Sequence, residues 1–284
     1  MALTRIHEEN EVSPEIRKIY SDIRAQFDLP YVPTIFKVLA GCPEYLRVMW
    51  KDLSQVACSR ELSSAAVALD EYIRSEVVGG GWKFSDQERA LASQKVSAGD
   101  MGVLAGIVGV FARELPRLVL FTRAMQRGYS GGQKGRVTAG KHSPALSRLV
   151  TLNIPAEDAA NLRVWLIYSD IKRTTGSQHV LSMFRVLSDF PGYLASVWLD
   201  SKKVFGQKEF ALARDEVVRR SIALMTGIPV RDHRTLSKTI TPERWRDVEE
   251  TVDSFARLLP QFALLCAVWQ RSFVVNPLRH RQSA

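Results

Sequence analysis

The pentapeptide Ile-Tyr-Ser-Asp-Ile occurs twice in this chain, at residues 19–23 and again at residues 167–171. The match continues beyond these five residues. Residues 19–50 align without a gap with residues 167–198, and 13 of the 32 aligned positions are identical. The copies lie 148 residues apart, far more than the roughly 20–50 residues of a solenoid repeat. The pattern therefore predicts a tandem duplication of one large unit.

A second match lies near the end of each copy, where FARELP at residues 111–116 returns as FARLLP at residues 255–260. Between the copies the chain is rich in Gly, Ser and Lys, which is typical of an exposed linker. The sequence thus divides into four predicted segments: a first repeat at 1–127, a linker at 128–148, a second repeat at 149–276 and a disordered tail at 277–284.

Each unit has the pattern of a helical protein. Near the start, apolar residues recur at the spacing of one helix face: Ile16, Ile19, Tyr20, Ile23 and Phe27. Ser13 and Pro14 supply an N-cap and a first-turn proline, and Pro43 and Pro191 stand where the next helix of each repeat would begin. No sustained alternation of the kind expected for strands is present. We predict an all-α fold of two tandem repeats, arranged as a pseudo-dimer with a pocket between the halves.

Composition limits the partners and the compartment. The formal net charge is +9, but the bases are spread along the chain and no nucleic-acid motif occurs, which favours a small anionic substrate over nucleic acid. The apolar run at residues 101–112 is too short to span a bilayer, and the polar start does not resemble a signal peptide. Three widely spaced cysteines fit a reducing cytoplasm. We expect no membrane partner, and the sequence leaves a homodimer open.

Positions that differ between the copies are the better site candidates, because a pocket between two related halves works asymmetrically. Tyr31 aligns with His179, and Thr34 aligns with Ser182. His179 and Ser182 are the predicted catalytic residues, with His179 as a general base one helical turn from Ser182 or Met183. The alternative interpretation is a partly buried histidine that bonds a backbone group. No metal-binding motif is present, so we expect no metal or other cofactor.

Three stretches carry a resemblance to a known family: LPYVPTIFKVLAGCPEYLRVMW from residue 29, VFARELPRLVLFTRAM from residue 110 and SMFRVLSDFPGYL from residue 182. They resemble the group I 2-haloacid dehalogenases, all-helical hydrolases with two repeats and a pocket between them. The resemblance covers most of the chain. It implies that a water, activated by an aspartate of the second repeat, displaces halide directly and without a covalent intermediate.

The catalytic residues of that family are not matched. Met183 stands where the resemblance places the water-activating aspartate, and a thioether cannot take a proton from water. The family's asparagine falls within residues 111–115, which contain no Asn.

The residues that line the family's pocket are matched in part. Its aromatic pair aligns with Tyr31 and Thr34, so one aromatic ring is kept. A Thr/Glu pair aligns with Ser59 and Ser63, with Glu61 close by. The resemblance therefore implies a substrate pocket formed by Tyr31, Thr34, Ser59 and Met183.

Three functions remain open at this level. The first is a dehalogenase-fold enzyme acting on a small carboxylate-type or halogenated substrate. The second is a repurposed biosynthetic enzyme that performs elimination, cyclisation or isomerisation. The third is a non-catalytic ligand-binding protein of the same fold.

Overall fold

The computed structural model describes residues 3–85, 98–133, 135–140 and 152–274. These ranges hold α-helices, two short 3-10 turns and two isolated bridges, and they contain no strand. The described α-helices are α1 (Pro14–Phe27), α2 (Thr34–Leu39), α3 (Pro43–Ala57), α4 (Arg60–Gly79), α5 (Ala98–Tyr129), α6 (Leu162–Thr175), α7 (Ser182–Arg185), α8 (Pro191–Phe205), α9 (Lys208–Met225) and α10 (Pro242–Val274). The predicted all-α class is confirmed.

Helix starts follow the local sequence signals. The Ser13 hydroxyl accepts a hydrogen bond from the Ile16 N–H at 3.3 Å, which caps α1. Asn161 caps α6 in the same way, through a 3.0 Å bond from the Val164 N–H. Each such cap stabilises its helix by about 1 kcal/mol. The helices α3 and α8 begin at a proline, as predicted.

Four helices form the centre of the molecule. α4, α5, α9 and α10 each pack against the other three, and the pair α5 and α10 shares the most extensive contact among the described helices. Two helix pairs flank this bundle, α1 with α3 and α6 with α8. The short helix α2 packs on α3 and α10, which brings it to the side of the central pair.

Each of the two long central helices contains a proline, Pro116 in α5 and Pro260 in α10. Proline removes one intrahelical hydrogen bond, so both helices depend on packing for their continuity. Within the described residues one segment, Pro242–Phe273, is long and apolar enough to cross a membrane by length and composition. Its most apolar window is 78% buried inside the fold, as expected for a helix at the centre of a core.

The predicted linker is only partly described. α5 extends to Tyr129, two residues into that segment. The N–H of Gln133 then donates to the Val230 carbonyl at 2.6 Å, and the N–H of Gly140 donates to the Cys58 carbonyl at 2.9 Å. The described part of this segment is thus bonded to both halves of the chain. Residues 141–148 and the predicted tail lie outside the described residues.

Two aspartates of the repeated pentapeptide hold tryptophans in place. Asp22 accepts from the Trp50 indole N–H at 2.7 Å, and Asp170 accepts from the Trp198 indole N–H at 2.8 Å. Asp170 also pairs with Lys202 and Arg173. The Lys202 and Trp198 hydrogen bonds are the main cause that lowers the pKa of Asp170. Both aspartates therefore have structural roles in fixing a flanking helix pair.

This arrangement predicts unequal losses of stability in two matched variants. Asp22→Asn and Asp170→Asn should each weaken a charge-assisted bond to tryptophan, by about 1 kcal/mol. Asp170→Asn should cost more, because it also removes two ion pairs. Urea unfolding at pH 7 measures the difference, and equal losses for the two variants would contradict the assigned contacts.

Candidate functional site

A small cavity lies where α2, α5, α7 and α10 meet. Its volume is about 30 Å³, enough to hold a water molecule. The lining is apolar apart from a few polar side chains. It consists of Tyr31, Pro33, Thr34, Ile35, Phe111, Glu114, Leu115, Leu118, Leu181, Ser182, Met183, Phe255 and Leu259. Residues from both sides of the predicted linker thus contribute to one site.

Four of the six residues predicted for the site meet in this cavity. Tyr31, Thr34, Ser182 and Met183 all line it, and all are buried. The hydroxyls of Thr34 and Ser182 lie 3.0 Å apart and share a hydrogen bond. These two residues are 148 positions apart in the chain, so they are the same position of the aligned segments.

A buried carboxylate dominates the chemistry of the cavity. Glu114 on α5 is only 3% exposed. The Tyr31 hydroxyl donates a hydrogen bond to Oε2 of Glu114. Its other oxygen, Oε1, is buried and has no hydrogen-bond partner. An unpaired buried carboxyl oxygen is costly unless it binds a proton or a ligand.

Burial raises the pKa of Glu114 to about 8, against the lowering effects of the Tyr31 hydrogen bond and of Arg117 and Arg113. Burial also raises the pKa of Tyr31 well above its usual value, and the Glu114 charge adds to this. The phenol therefore remains a donor at neutral pH. A carboxyl group with a pKa near neutrality can exchange a proton at physiological pH, as a general base or acid must.

The two nearby arginines are bonded to other groups. Arg117 donates to the backbone carbonyls of Phe27 at 3.0 Å and Ala57 at 2.8 Å. Arg113 is half-exposed and lies 3.5 Å from the carboxylate of Asp28. Neither arginine lines the cavity. The charges of Arg117 and Arg113 lower the pKa of Glu114, but burial is the larger effect.

The structure does not bring His179 into this cavity. Its ring is buried, and Nε2 lies 3.1 Å from the Leu3 carbonyl, which requires a proton on that nitrogen. The ring lines a separate cleft beside the N-terminal segment. Burial lowers the pKa of His179. The position of His179 is that of the alternative interpretation, a buried histidine bonded to a backbone group. His179 lies in the loop before α7 and not on a helix.

Ser59 also lies away from the cavity. Its hydroxyl caps α4, accepting from the Leu62 N–H at 3.1 Å and donating to the Val56 carbonyl at 2.9 Å. Glu61 is at the surface and accepts from the Thr138 N–H at 3.0 Å. The hydroxyl of Ser59, a predicted substrate contact, thus forms a helix cap outside this cavity.

Sequence reasoning missed Glu114, although a signal was present. FARELP and FARLLP differ at one position, where Glu114 in the first copy faces Leu258 in the second. Comparing the copies for asymmetry should have selected it. It also lies on the apolar face of α5 with Phe111, Leu115 and Leu118, where a carboxylate is unusual.

No three His, Cys, Asp or Glu side chains approach one another as metal ligands in the part of the chain that the structure describes. The site-forming groups are one carboxyl, one phenol, two hydroxyls and a thioether, among apolar side chains. Together with the helical bundle, they define an all-α protein whose buried cavity carries a single proton-exchanging acid.

Comparison with known proteins places the chain in a family. The model described as "Halocarboxylic acid dehydrogenase DehI" matches residues 30–184, more than half of the 284 residues. The chain belongs to this family and is a divergent member of the group I 2-haloacid dehalogenases. The resemblance predicted from the sequence is confirmed.

Individual relatives are distant in sequence. The chain is 23% identical over 235 residues to an (R)-2-haloacid dehalogenase of Pseudomonas putida, covering 80% of this chain and 77% of that protein. It is 19% identical over 223 residues to an (R)-2-haloacid dehalogenase of Rhizobium sp. (strain NHG3), covering 78% of this chain and 86% of that one.

Solved structures share the fold. A complex of D-2-haloacid dehalogenase with L-LA superposes with a TM-score of 0.86 at 18% identity, covering 96% of this chain and 97% of the other. A complex of a D-2-haloacid dehalogenase mutant with D-2-CPA has a TM-score of 0.84 at 18% identity, with coverage of 95% and 96%. At such identities the likeness establishes the fold.

The raised pKa of Glu114 predicts a characteristic pH dependence of stability. The folded value of about 8 lies above the ordinary value of 4.5, so the folded chain binds an extra proton between these limits. Its contribution to stability is therefore full below about pH 4.5 and is lost as the pH rises to about 8. Glu114→Gln should reduce the loss of stability between pH 5 and pH 9 by a few kcal/mol.

Urea unfolding at pH 5, 7 and 9 measures this effect. Glu61→Gln is the matched control, since its carboxylate is at the surface and it should keep the wild-type dependence over this range. A Glu114→Gln profile parallel to that of the wild type would show that Glu114 does not titrate as assigned.

Proposed function

We propose that the chain is a hydrolase of the dehalogenase fold, and that it removes halide from a short compound whose halogen sits next to a carbonyl or carboxyl carbon. The observation that carries the proposal is Glu114, a buried carboxyl with one unpaired oxygen in a cavity that also holds Tyr31 and Met183. Membership of the haloacid dehalogenase family supports the reaction class.

We also propose that this cavity lies between two copies of one unit, residues 1–127 and 149–276, which form a pseudo-dimer. Two pairs of equivalent contacts support the duplication, the caps Ser13 and Asn161 and the bonds of Asp22 and Asp170 to tryptophan. A further contact, the Thr34–Ser182 bond, joins equivalent positions. The last contact would lie on the pseudo-twofold axis.

In the proposed reaction Glu114 takes the role that the family gives to an aspartate. The cavity of about 30 Å³ holds a water molecule, so it must widen to admit the substrate as well. Oε1 of ionised Glu114 accepts a proton from a water in the cavity, while the Tyr31 hydroxyl keeps its bond to Oε2. The water oxygen attacks the carbon that bears the halogen. The carbon–halogen bond breaks, and halide leaves with the bonding electron pair. The products are a hydroxyl compound, halide and a proton that Glu114 returns to solvent.

The other polar groups would orient the reactants. Thr34 and Ser182 supply hydroxyls that can donate to a carbonyl or carboxyl oxygen. Met183, which is only 1% exposed, would pack against the halogen or an alkyl group. His179 has no part in this scheme, because its Nε2 is bonded to the Leu3 carbonyl.

Elimination is a second reaction that this site could perform. It is favoured because Glu114 lies on α5, whereas the base of the family would stand at residue 183. A carboxylate on α5 approaches the substrate from a different helix than a base at Met183 would. It could therefore reach a hydrogen on the neighbouring carbon and cause elimination of hydrogen halide. Hydrolysis yields a 2-hydroxy product and elimination yields an unsaturated one, so product analysis separates them.

We expect the purified protein to release chloride from 2-chloropropionate or 2-chloropropionamide, with a rate that rises with pH to a plateau above the pKa of Glu114, about 8. The base form is the active form, so activity grows as the proton is lost. Glu114→Gln should lower kcat by roughly 100- to 10,000-fold.

His179→Gln is the matched control, since its amide can still donate to Leu3, and it should retain near-wild-type turnover. Loss of activity in this variant, at unchanged stability, would indicate that His179 is the general base. No chloride from either compound at any pH between 6 and 10 would contradict the proposed hydrolase and favour a ligand-binding protein.

A further inference from the structure

The cavity around Glu114 adjoins a larger cleft beside the N-terminal segment, residues 3–12. This cleft has a volume of about 390 Å³, within the range of small-ligand sites, whereas the cavity has about 30 Å³. His179 lines the cleft, and its ring stacks on that of Phe255 with the ring centres 6.2 Å apart. Phe255 in turn lines the cavity. A thin layer of side chains therefore separates the cavity from the cleft.

Two buried cations, Lys37 and Arg185, lie at equivalent positions of the two aligned segments. Lys37 is one helical turn from Thr34 on α2, and Arg185 is one turn from Ser182 on α7. The hydroxyls of Thr34 and Ser182 line the cavity. The Arg185 side chain is fully buried, and 11% of the Lys37 side chain is exposed. Two neighbouring buried cations are costly unless an anion lies between them.

Glu8 of the N-terminal segment supplies that anion. Its Oε1 accepts from Nη2 of Arg185 at 2.6 Å, and its Oε2 accepts from the ammonium group of Lys37. Burial acts to raise the pKa of Glu8, but the bonds to Lys37 and Arg185 outweigh it and hold the pKa below its usual value. Glu8 is therefore ionised at neutral pH. It also lines the cleft, where an entering carboxylate would meet it.

Arg185 has a donor that Glu8 does not use. Its Nε and Nη2 donate to the Pro155 carbonyl at 2.8 and 2.6 Å. Its Nη1 is buried and has no hydrogen-bond partner among the described residues. An unused donor on a buried guanidinium is unfavourable. A ligand carboxylate can accept from Nη1 and Nη2 together, the bidentate geometry that arginine favours, so this position suits a carboxylate other than Glu8.

Several hydrogen bonds of the N-terminal segment end on the elements that surround the cavity. The Leu3 N–H donates to the Thr251 hydroxyl on α10 at 2.9 Å, and the Leu3 carbonyl is bonded to His179 in the loop before α7. The His7 N–H donates to the Lys37 carbonyl on α2 at 3.1 Å. Displacement of this segment would release all three elements together, which gives the cavity a way to widen.

We propose that Lys37 and Arg185 form a carboxylate-binding site at the entrance to the cavity, and that Glu8 fills this site until the carboxylate of the substrate replaces it. The N-terminal segment is then the gate through which a short 2-halo acid enters from the cleft. This rests on the proposed function and adds the place where its substrate is first bound. It also agrees with the expectation of a small anionic substrate.

A pair of unreactive ligands tests the gate in the wild-type chain. Propionate carries the carboxylate without a halogen, and propionamide has nearly the same shape without the charge. In hydrogen–deuterium exchange, saturating propionate should speed exchange of the Leu3 and His7 amides several-fold, because their hydrogen bonds are released. Propionamide should leave it unchanged. Propionate that binds without faster exchange at these amides would overturn the proposal.

Removal of the competing carboxylate tests the site itself. Glu8→Gln should lower the dissociation constant of propionate, measured by titration calorimetry, by at least about 10-fold, the factor for one charge-assisted hydrogen bond. Glu11→Gln is the matched control and should leave the constant nearly unchanged. Glu11 lines the same cleft but pairs with the exposed Arg5 and not with the buried cations.

Adding Lys37→Gln to Glu8→Gln should weaken propionate binding again, and urea unfolding establishes that both variants fold. Equal affinity of Glu8→Gln and the wild type for propionate would overturn the site. An equal gain in affinity for propionamide would also overturn it, because the gain would then not depend on charge.

The hydrolase and the entrance site fail separately. Chloride release from 2-chloropropionate with the same KM in Glu8→Gln and the wild type would leave the hydrolase standing and overturn the entrance site. Propionate binding that strengthens in Glu8→Gln, without chloride release from 2-chloropropionate, would support the site and contradict the hydrolase.

Discussion

The packing of α5 against α10 is the constraint on which the structure depends. Both helices carry an internal proline and hold a continuous path through the centre of the bundle. The cavity exists where this pair meets the two short helices: α5 contributes Phe111 and Glu114, and α10 contributes Phe255 and Leu259. Because buried apolar surface drives this packing, the carboxyl group of Glu114 on α5 is forced into an apolar environment.

Burial of Glu114 links stability to the proposed chemistry. An ionised carboxylate is expensive in such an apolar place, so the group keeps its proton up to a pH near 8 although Arg117 and Arg113 lower its pKa. The Tyr31 hydroxyl offsets part of the desolvation cost of Glu114 by donating a hydrogen bond to Oε2, and Oε1 is left unpaired. A group that is destabilising for the fold and poised near neutral pH is typical of active sites.

Much of the fold could be predicted because its signals are local. The Ser13 cap, the apolar stripe from Ile16 to Phe27 and the prolines at the starts of α3 and α8 act within one or two helical turns. The site could be predicted only in part. Tyr31, Thr34, Ser182 and Met183 line one cavity, whereas His179 lies outside it, where its ring contacts the Leu3 carbonyl of the N-terminal segment. That contact joins residues 176 positions apart, and no local pattern encodes it.

By itself the sequence determined an all-helical chain, its internal match at an interval of 148 residues and its kinship with the 2-haloacid dehalogenases. Only the tertiary structure decided which acid occupies the cavity. In the sequence Glu114 is one of 30 acidic residues. Its pKa is set by the neighbours that exclude water, which raise it, and by the Tyr31 hydroxyl and the arginines, which lower it. Both are properties of packed neighbours from α2, α5 and α10, so they arise only when these helices have come together.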